Sequence, residues 1–264
     1  MSETIFITGA AKGIGRACAK RFAARGFVVG LYDVDEPELA RVADEIVRDH
    51  GPGRAVWQRL DVREGASIDA GLRQFAEHTG GRLDVLLANA GVMSVGRFEQ
   101  IDLAAHRRMI DINAMGLLEV AHRAFELLRA TEGARLINLS SASAIYGMPE
   151  MASYSATKHF VRGLTEALAV EWKPHGISVC DVMPMFVDTG LLTNTASASS
   201  MSRLGVHLGP DDVADVVWAA AHAKGRWARV HWPVGLQTKL AIAAKRLSPD
   251  WLDRAFVQWM AGPR

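Results

Sequence analysis

Short apolar runs alternate with longer amphipathic segments over most of the chain. The runs are rich in valine, isoleucine and leucine, which is typical of parallel strands that are buried on both faces. Strands are predicted at Ile5-Thr8, Phe27-Tyr32, Ala55-Leu60, Leu83-Ala88, Arg135-Leu139, Ile177-Met183 and Ala228-Trp232. Helical patterns lie near residues 13-25, 37-50, 64-79, 100-130, 152-174 and 210-223. This alternation predicts an α/β fold with a doubly wound parallel sheet of about seven strands, joined by right-handed helical crossovers.

Two segments depart from the regular pattern. Residues 186-208 are rich in serine, threonine and alanine and have few large apolar side chains for a core, so they are expected to be flexible. Residues 236-264 carry apolar residues at helical spacing with basic residues between them, and include Trp251 and Trp259. An intramolecular cap or a subunit contact is the more common role of such a tail, and a helix on a membrane surface is the alternative. We therefore expect one domain at 1-235 with a helical tail at 236-264.

Composition excludes several kinds of partner. The 264 residues include 30 Lys and Arg against 29 Asp and Glu, a net charge of +1, so no overall field attracts nucleic acid or an anionic membrane. The chain has no transmembrane-length apolar run and no signal-type leader, which predicts a cytoplasmic protein. Cys18 and Cys180 lack the spacing of a metal site or redox pair and are expected to be buried free thiols. The histidines form no ligand cluster, so no metal is predicted.

The turn after the first strand is rich in glycine and opens directly into a helix. It reads Thr8-Gly9-Ala10-Ala11-Lys12-Gly13-Ile14-Gly15. Glycines let the backbone approach a pyrophosphate closely, and the free N–H groups at the start of a helix favour its charge. An ordinary strand-to-helix turn has the same spacing, so this pattern needs support from the rest of the chain.

Asp33, at the end of the second strand, supplies that support. A carboxylate there accepts hydrogen bonds from the ribose hydroxyls of an adenine dinucleotide and repels a 2′-phosphate, which favours NAD over NADP. Lys12 complicates the choice because it could reach a 2′-phosphate, although a solvated loop lysine is as good an interpretation. No arginine follows Asp33 to offset its charge. NAD is therefore the predicted cofactor, with NADP possible.

The stretch from Ser140 to Lys158 carries a second group of chemical side chains. Tyr154 and Lys158 are four residues apart in a helical pattern, so they share one helix face. Ser140, Ser141 and Ser143 lie at the end of the preceding strand, and Tyr146 is a competing phenol with no lysine at helical spacing after it. Hydroxyl, phenol and ammonium groups are what a site needs to move one proton on or off an alcohol.

Together these motifs resemble those of the short-chain dehydrogenase/reductase family. The pattern Thr-Gly-x-x-x-Gly-Ile-Gly matches that family, and the similarity extends over roughly residues 4-235. The resemblance implies a single-domain Rossmann fold and selects Ser141, thirteen residues before Tyr154, as the catalytic serine. It further implies an active-site Asn113 and a lid at 186-208. It also implies a homodimer through the helices near 100-130 and 152-174, or a homotetramer, which many relatives pack through their C-terminus.

The resemblance also assigns a cofactor site. It places adenine beside Asp61 and Val62, the cofactor floor at Asn89-Ala90-Gly91, and the nicotinamide carboxamide at Pro184, Val187 and Thr189. Met185 replaces the family's usual glycine. The full cofactor set expected is Thr8, Gly9, Lys12, Gly13, Ile14, Gly15, Asp33, Asp61, Val62, Asn89, Ala90, Gly91, Tyr154, Lys158, Pro184, Val187 and Thr189.

The expected reaction is NAD-dependent interconversion of a secondary alcohol and a ketone. Tyr154 would be the general acid or base; a tyrosine pKa of about 10 makes it a poor base until Lys158 and the oxidised nicotinamide add positive charge. Ser141 would stabilise the substrate oxygen, and Asn113 would hold a water that links Lys158 to solvent. An apolar substrate is expected, since apolar side chains follow several strand ends: Met93, Met148, Met185 and Phe186. The alternatives are an NADPH-dependent carbonyl reductase and an NAD-binding sensor or scaffold without turnover.

Overall fold

The computed structural model of the protein describes residues 2–188, 205, 208–225 and 228–261, except for the side chains of residues 246 and 247. Its strands are β1 Thr4–Thr8, β2 Val28–Asp33, β3 Ala55–Arg59, β4 Val85–Ala88, β5 Arg135–Leu139, β6 Ser178–Met183 and β7 His231–Pro233. They form one parallel sheet in the order β3-β2-β1-β4-β5-β6-β7. The predicted doubly wound sheet of about seven strands is confirmed.

The helices are α1 Gly13–Ala23, α2 Glu36–His50, α3 Gly65–Thr79, α4 Leu103–Ile110, α5 Leu117–Ala130, α6 Ala152–Glu171, α7 Pro210–His222, α8 Gly235–Leu247 and α9 Asp250–Ala261. One prediction needs correction: the continuous helical pattern near 100-130 is two helices, α4 and α5, joined by the π-helical segment Asp111–Gly116. The last predicted strand, Ala228-Trp232, is also shifted, because pairing with β6 begins at His231 opposite Asp181.

Alternate side chains of the strands fill two core layers on opposite faces of the sheet. Ile5 and Ile7 of β1 pack in the cluster covered by α1, α2 and α7, where Cys18 also lies. Phe6, between them, packs in the other cluster, against α3, α5 and α6, where it stacks on Tyr32 with ring centroids 4.0 Å apart. Cys18 and Cys180 are buried and free, as predicted. Burial raises the pKa of each thiol to about 12.

The C-terminal tail packs on the domain as an intramolecular cap. Ala241 and Ile242 of α8 and Phe256 and Met260 of α9 join a third apolar cluster that includes Tyr146. Other apolar side chains of the tail remain exposed: Leu236, Leu240, Trp251, Leu252 and Trp259. Among the residues that the structure describes, no helix is long and apolar enough to cross a membrane.

The flexible loop and lid expected at 186-208 fall mostly on residues 189–204, 206 and 207, which lie outside the described residues. The predicted cofactor contact of Thr189 lies outside them too.

Candidate active site

Five parallel strands, β1, β2, β4, β5 and β6, end at one cavity of about 630 Å³. Ligands of open α/β sheets bind at this carboxyl edge. Thirteen of the sequence-predicted site residues line this first cavity: Gly9, Lys12, Gly13, Ile14, Asp33, Asn89, Ala90, Gly91, Ser141, Tyr154, Lys158, Pro184 and Val187. The structure thus brings the glycine turn and the serine, tyrosine and lysine to a single site.

The glycine turn is held by hydrogen bonds that involve the side chains of Thr8 and Asn89. The Thr8 hydroxyl accepts hydrogen bonds from the amides of Asn89 and Ala90 at 3.0 and 3.2 Å. The Asn89 side chain donates to the carbonyl oxygens of Thr8 and Gly9, both at 2.9 Å. A Cβ atom on Gly15 would lie 2.0 Å from the Gly9 carbonyl oxygen. Thr8 and Gly15 therefore shape the turn without lining the cavity.

Asp33 and Lys12 meet different partners beside the turn. One carboxylate oxygen of Asp33 accepts the Ala11 amide at 3.1 Å, and the other accepts the Val34 amide at 2.7 Å. The Lys12 ammonium pairs with Asp35 at 2.7 Å, and this pairing raises the lysine's pKa and lowers the pKa of Asp35. Asp35 thus already balances the charge of Lys12, while Asp33 faces the cavity without a lysine or arginine at hydrogen-bonding distance in the described part of the chain.

Asp61 and Val62 do not line the first cavity. The buried Asp61 carboxylate accepts hydrogen bonds from the Arg63 backbone amide at 3.0 Å and from its Nε at 2.9 Å. The arginine lowers the pKa of Asp61. Val62 packs against the π-helical segment so closely that a Cβ on Gly116 would lie 2.6 Å from Val62 Cγ2. Asp61 thus stabilises the turn after β3, and Val62 packs against the π-helical segment. Their expected contact with adenine stays a prediction.

Asn113 is buried in the π-helical segment beside the first cavity. Its side chain accepts the Val92 amide and donates to the Val92 carbonyl, both at 2.8 Å, and donates to the Thr157 hydroxyl at 3.3 Å. These contacts join the chain after β4 to α6, the helix that carries Tyr154 and Lys158. The side chain of Asn113 therefore connects the segment after β4 to α6. The expectation that Asn113 holds a water stays a prediction.

Ser141, Tyr154 and Lys158 form the chemical end of the first cavity. The Lys158 ammonium lies 5.6 Å from the centre of the Tyr154 ring. Burial lowers the pKa of Lys158 to about 8, partly offset by Asp181. Burial also raises the pKa of Tyr154 to about 12, although a hydrogen bond with Ser141 lowers it. The Ser141 hydroxyl lies 3.2 Å from that of Ser143 and accepts the Ser143 amide at 3.1 Å.

Sequence reasoning missed a second cavity of about 470 Å³ next to the first. It lies between the strand ends and the tail helices α8 and α9, and shares Ser141, Ser143, Met185 and Phe186 with the first cavity. Tyr146, the competing phenol, lines only this second cavity. Of the predicted apolar residues, Met93 lines the first cavity, Met148 the second, and Met185 and Phe186 both. The amphipathic tail was the available signal, but it does not show where its helices pack.

Comparison with known proteins identifies the family. Residues 3–200 match the family model described as short chain dehydrogenase. The chain belongs to the short-chain dehydrogenase/reductase family. This confirms the family and the enzyme class expected from the sequence, a dehydrogenase/reductase acting on CH–OH groups with a nicotinamide dinucleotide.

Three members of the family are similar over most of this chain. Cis-4-hydroxycyclohexanecarboxylate dehydrogenase of Sinomonas cyclohexanicum is 35% identical over 219 residues, which cover 80% of this chain and 86% of that protein. Cyclohexanol dehydrogenase of Acinetobacter sp. (strain SE19) is 31% identical over 222 residues, 82% of this chain and 86% of that protein. The crystal structure of a short chain dehydrogenase/reductase from Burkholderia phymatum in complex with NAD has a TM-score of 0.81 and 26% identity, covering 100% of this chain and 96% of that one.

Proposed function

We propose that this short-chain dehydrogenase/reductase interconverts a secondary alcohol and a ketone with NAD. The observation that carries the proposal is the convergence of Ser141, Tyr154 and Lys158 at one end of a cavity that also holds the glycine turn and Asp33. A proton-transfer group beside a dinucleotide site is the arrangement that alcohol oxidation by hydride transfer requires.

The residues of the first cavity fit a dinucleotide. Gly9 and Gly13 have φ values of +69° and +53°, a left-handed conformation that favours glycine. The helix α1 begins at Gly13 without a side-chain cap or an acidic residue in its first turn, so its N-terminal N–H groups are available to phosphate oxygens. The chemistry that a bound cofactor would supply is hydride transfer: the oxidised form would accept a hydride from the carbinol carbon of the alcohol, and the reduced form would donate one to the carbonyl carbon of the ketone.

Tyr154 is proposed to transfer the hydroxyl proton. With a pKa of about 12 its phenol is protonated at neutral pH, which suits donation to a ketone oxygen. In the oxidation direction Tyr154 must act as a base, and positive charge nearby stabilises the phenolate. Lys158 provides such charge, because its pKa of about 8 leaves most of its ammonium protonated at pH 7.

Ser141 and Asn113 are proposed to position the reacting groups. The Ser141 hydroxyl lines the first cavity with Tyr154 and can donate to the substrate oxygen as negative charge develops on it. Asn113 fixes α6 against the segment after β4 and would hold the water that links Lys158 to solvent.

NAD is proposed over NADP on the electrostatics of the turn. Asp33 faces the cavity, and Lys12, the one residue that argued for NADP, is paired with Asp35. The Burkholderia structure with NAD supports the same choice. The names of the two similar dehydrogenases, which act on hydroxylated cyclohexanes, support a small secondary alcohol with an apolar skeleton.

The proposal includes a homodimer or homotetramer built through α4, α5 and α6. Large apolar side chains are exposed on α4, on α6 and on the π-helical segment before α5, which supports a subunit contact there: Leu103, Ile110, Met115, Phe160 and Val170.

The experiment is to follow NADH absorbance with secondary alcohols, and NADH oxidation with the matching ketones. We expect turnover with cyclic secondary alcohols and at least about tenfold lower kcat/KM with NADP. Turnover that needs NADP would favour the carbonyl-reductase alternative. Tight NAD binding without turnover of any alcohol or ketone would favour a sensor or scaffold.

A further inference from the structure

The two tail helices pack on the domain with one face and carry large apolar side chains on the other. On α8, Leu236 and Leu240 are four residues apart and therefore share a side of the helix. On α9, Trp251 and Trp259 are eight residues apart, a spacing that also keeps side chains on one side. All four side chains are more than half exposed. Each helix thus has an apolar stripe that the domain does not cover.

The two stripes meet at the opening of the second cavity. Leu240 of α8 and Leu252 of α9 both line this cavity, and both are exposed to solvent. Trp259 stacks with Phe256, another residue of the lining, with ring centroids 6.0 Å apart. The exposed apolar side chains therefore form one surface, which we call the tail surface: Leu236, Leu240, Trp251, Leu252 and Trp259.

The composition of the tail surface is typical of an interaction site. Large exposed apolar patches on a folded protein mark contacts with other proteins or with membranes. Tryptophan is enriched at the headgroup level of bilayers, because its ring is apolar while its N–H group can bond to water or headgroups. Leucine and tryptophan beside lysine and arginine are the residues of helices that lie in the membrane interface.

Charge divides unevenly between the tail and the rest of the chain. Of the 30 Lys and Arg and 29 Asp and Glu in the protein, residues 236–264 contain five basic and two acidic ones, a net charge of +3. The remaining 25 basic and 27 acidic residues give residues 1–235 a net charge of −2. The near-zero net charge of the whole chain therefore conceals a cationic tail.

Two cations of the tail lie beside the apolar stripes. Lys239 is three residues from Leu236, and Arg254 is three residues from Trp251, so each neighbours an exposed apolar side chain on its helix. Both cations are exposed, and neither forms an ion pair within the described residues. They are placed to meet negative charge on whatever covers the tail surface.

A second copy of this chain suits the tail surface less well than an anionic lipid layer does. A two-fold dimer would bring the cationic patch of one subunit against that of its partner, and like charges across an interface are unfavourable. Of the two acids in the tail, Asp253 is buried and paired with Lys245, which leaves Asp250 to offset the exposed cations. Anionic lipid attracts the cations and also takes up the apolar side chains.

We propose that the tail surface binds the surface of a membrane that contains anionic lipid, while α8 and α9 stay folded on the domain. The exposed leucines and tryptophans enter the interfacial layer, and Lys239 and Arg254 contact the headgroups. This arrangement places the opening of the second cavity at the bilayer.

Co-sedimentation of the full chain with vesicles tests the proposal. Vesicles of phosphatidylcholine alone are compared with vesicles in which about one third of the lipid is phosphatidylglycerol. Wild type should bind the anionic vesicles at least about tenfold more tightly, and added salt should reduce the difference because it screens the charges.

Two double variants test the location. Trp251→Ser/Trp259→Ser should weaken binding to the anionic vesicles by about tenfold or more. Phe98→Ser, which removes an exposed aromatic side chain outside the tail, is the matched control and should bind as wild type does. Lys239→Gln/Arg254→Gln should weaken binding by about fivefold for each cation removed. Lys173→Gln/Lys224→Gln, at exposed positions outside the tail, is its control.

The outcomes decide between a membrane and other occupants of the tail surface. Wild type that leaves the anionic vesicles unbound, or binding that both tail variants retain in full, would overturn the proposal. Sedimentation equilibrium covers the second-copy alternative: an oligomer that Trp251→Ser/Trp259→Ser dissociates, with no vesicle binding by wild type, would assign the surface to a subunit contact. Thermal melting verifies that each variant is folded. None of these measurements uses turnover, so their failure is distinct from failure of the proposed function.

Discussion

The Lys158 ammonium donates a hydrogen bond to the backbone carbonyl of Leu139 at 2.7 Å, which connects α6 to the end of β5. This contact helps to hold the charged group in a site where Lys158 is only 4% exposed. Burial still lowers the pKa of the ammonium to about 8. The positive charge of Lys158, which is proposed to stabilise the Tyr154 phenolate, therefore lowers the stability of the folded protein.

That cost gives a prediction for Lys158→Met. Below pH 8 the lysine is charged in both the folded and the unfolded chain, and the folded state bears the full desolvation penalty. Between pH 8 and the ordinary lysine value of 10.5 the penalty disappears, because the folded state loses its charge first. The stability of wild type relative to Lys158→Met should therefore rise with pH over this window, by up to about 3 kcal/mol.

Urea unfolding of both proteins at pH 7, 8.5 and 10 measures this difference. Lys239→Met, which removes an exposed lysine, controls for the general effect of charge. A difference between wild type and Lys158→Met that does not change with pH would show that the buried lysine carries no such penalty.

Gly15→Ala should damage the cofactor turn. Its Cβ would lie 2.0 Å from the Gly9 carbonyl oxygen, so the turn must shift, with an expected loss of about 1–3 kcal/mol in stability and at least tenfold in NADH affinity. Gly163→Ala is the matched control within a helix. No atom lies within 4 Å of its added Cβ, so it should stabilise α6 by about 0.5–1 kcal/mol. Thermal unfolding and calorimetric titration would show equal effects of the two changes if the turn were not tightly packed.

Asp33→Ser should relax the choice of cofactor. Without the carboxylate, a 2′-phosphate is no longer repelled, and the ribose hydroxyls of NAD lose a charged hydrogen-bond acceptor. The ratio of NAD to NADP affinity should therefore fall by about 10- to 100-fold. Calorimetric titration with both cofactors measures the ratio. Lys12→Ala should change it less, because Lys12 is paired with Asp35. Tighter binding of NADP than NAD by wild type would contradict this account.

A histidine between two carboxylates predicts a second pH dependence of stability. His231 lies 2.9 Å from Asp181 and 3.0 Å from Glu166, and its pKa is raised mainly by the hydrogen bond to Asp181. A histidine with a raised folded pKa stabilises the protein fully below its unfolded value of 6.5, and this contribution is lost as pH rises through the folded value. Wild type should therefore lose stability above pH 6.5 relative to a variant without the pair.

The double variant Asp181→Asn/His231→Gln provides that comparison. Asn138 lies opposite Asp181 on β5, and the buried Asn138 Oδ1 and Asp181 Oδ2 have no hydrogen-bond partners in the described structure. An amide at position 181 can supply a donor there. In urea unfolding from pH 6 to 9, the free energy of unfolding of wild type should fall with pH, and that of the double variant should not. If the two free energies changed with pH in parallel, a contribution from this pair would be excluded.

The strand positions could be predicted because apolar periodicity is a local property of the chain. The predicted runs lie at the seven observed strands, with a shift at β7, where register depends on pairing with Asp181. The π-helical segment could not be predicted, because it coincides with contacts from Asn113 to Val92, 21 residues earlier, and to Thr157. Helical periodicity alone does not contain such contacts.

The site was predictable where side-chain identity carries the chemistry. Tyr154 and Lys158 were recognised by type and spacing and Ser141 through the family resemblance, and the structure brings the three together. The Leu139 carbonyl was missed because a backbone acceptor leaves no mark in the sequence. The second cavity was missed because it depends on packing between segments as distant as Tyr146 and Ala241, 95 residues apart.

The role of Tyr154 in proton transfer is tested most directly by Tyr154→Phe. Tyr32→Phe is the matched control, since Tyr32 is buried outside the cavity and its hydroxyl contacts Gln74 at 3.2 Å. With NAD and a cyclic secondary alcohol, Tyr154→Phe should lower kcat by about 100- to 10,000-fold, while NADH affinity by calorimetry stays within about tenfold. Tyr32→Phe should retain turnover. Unchanged turnover in Tyr154→Phe would contradict the proposed mechanism.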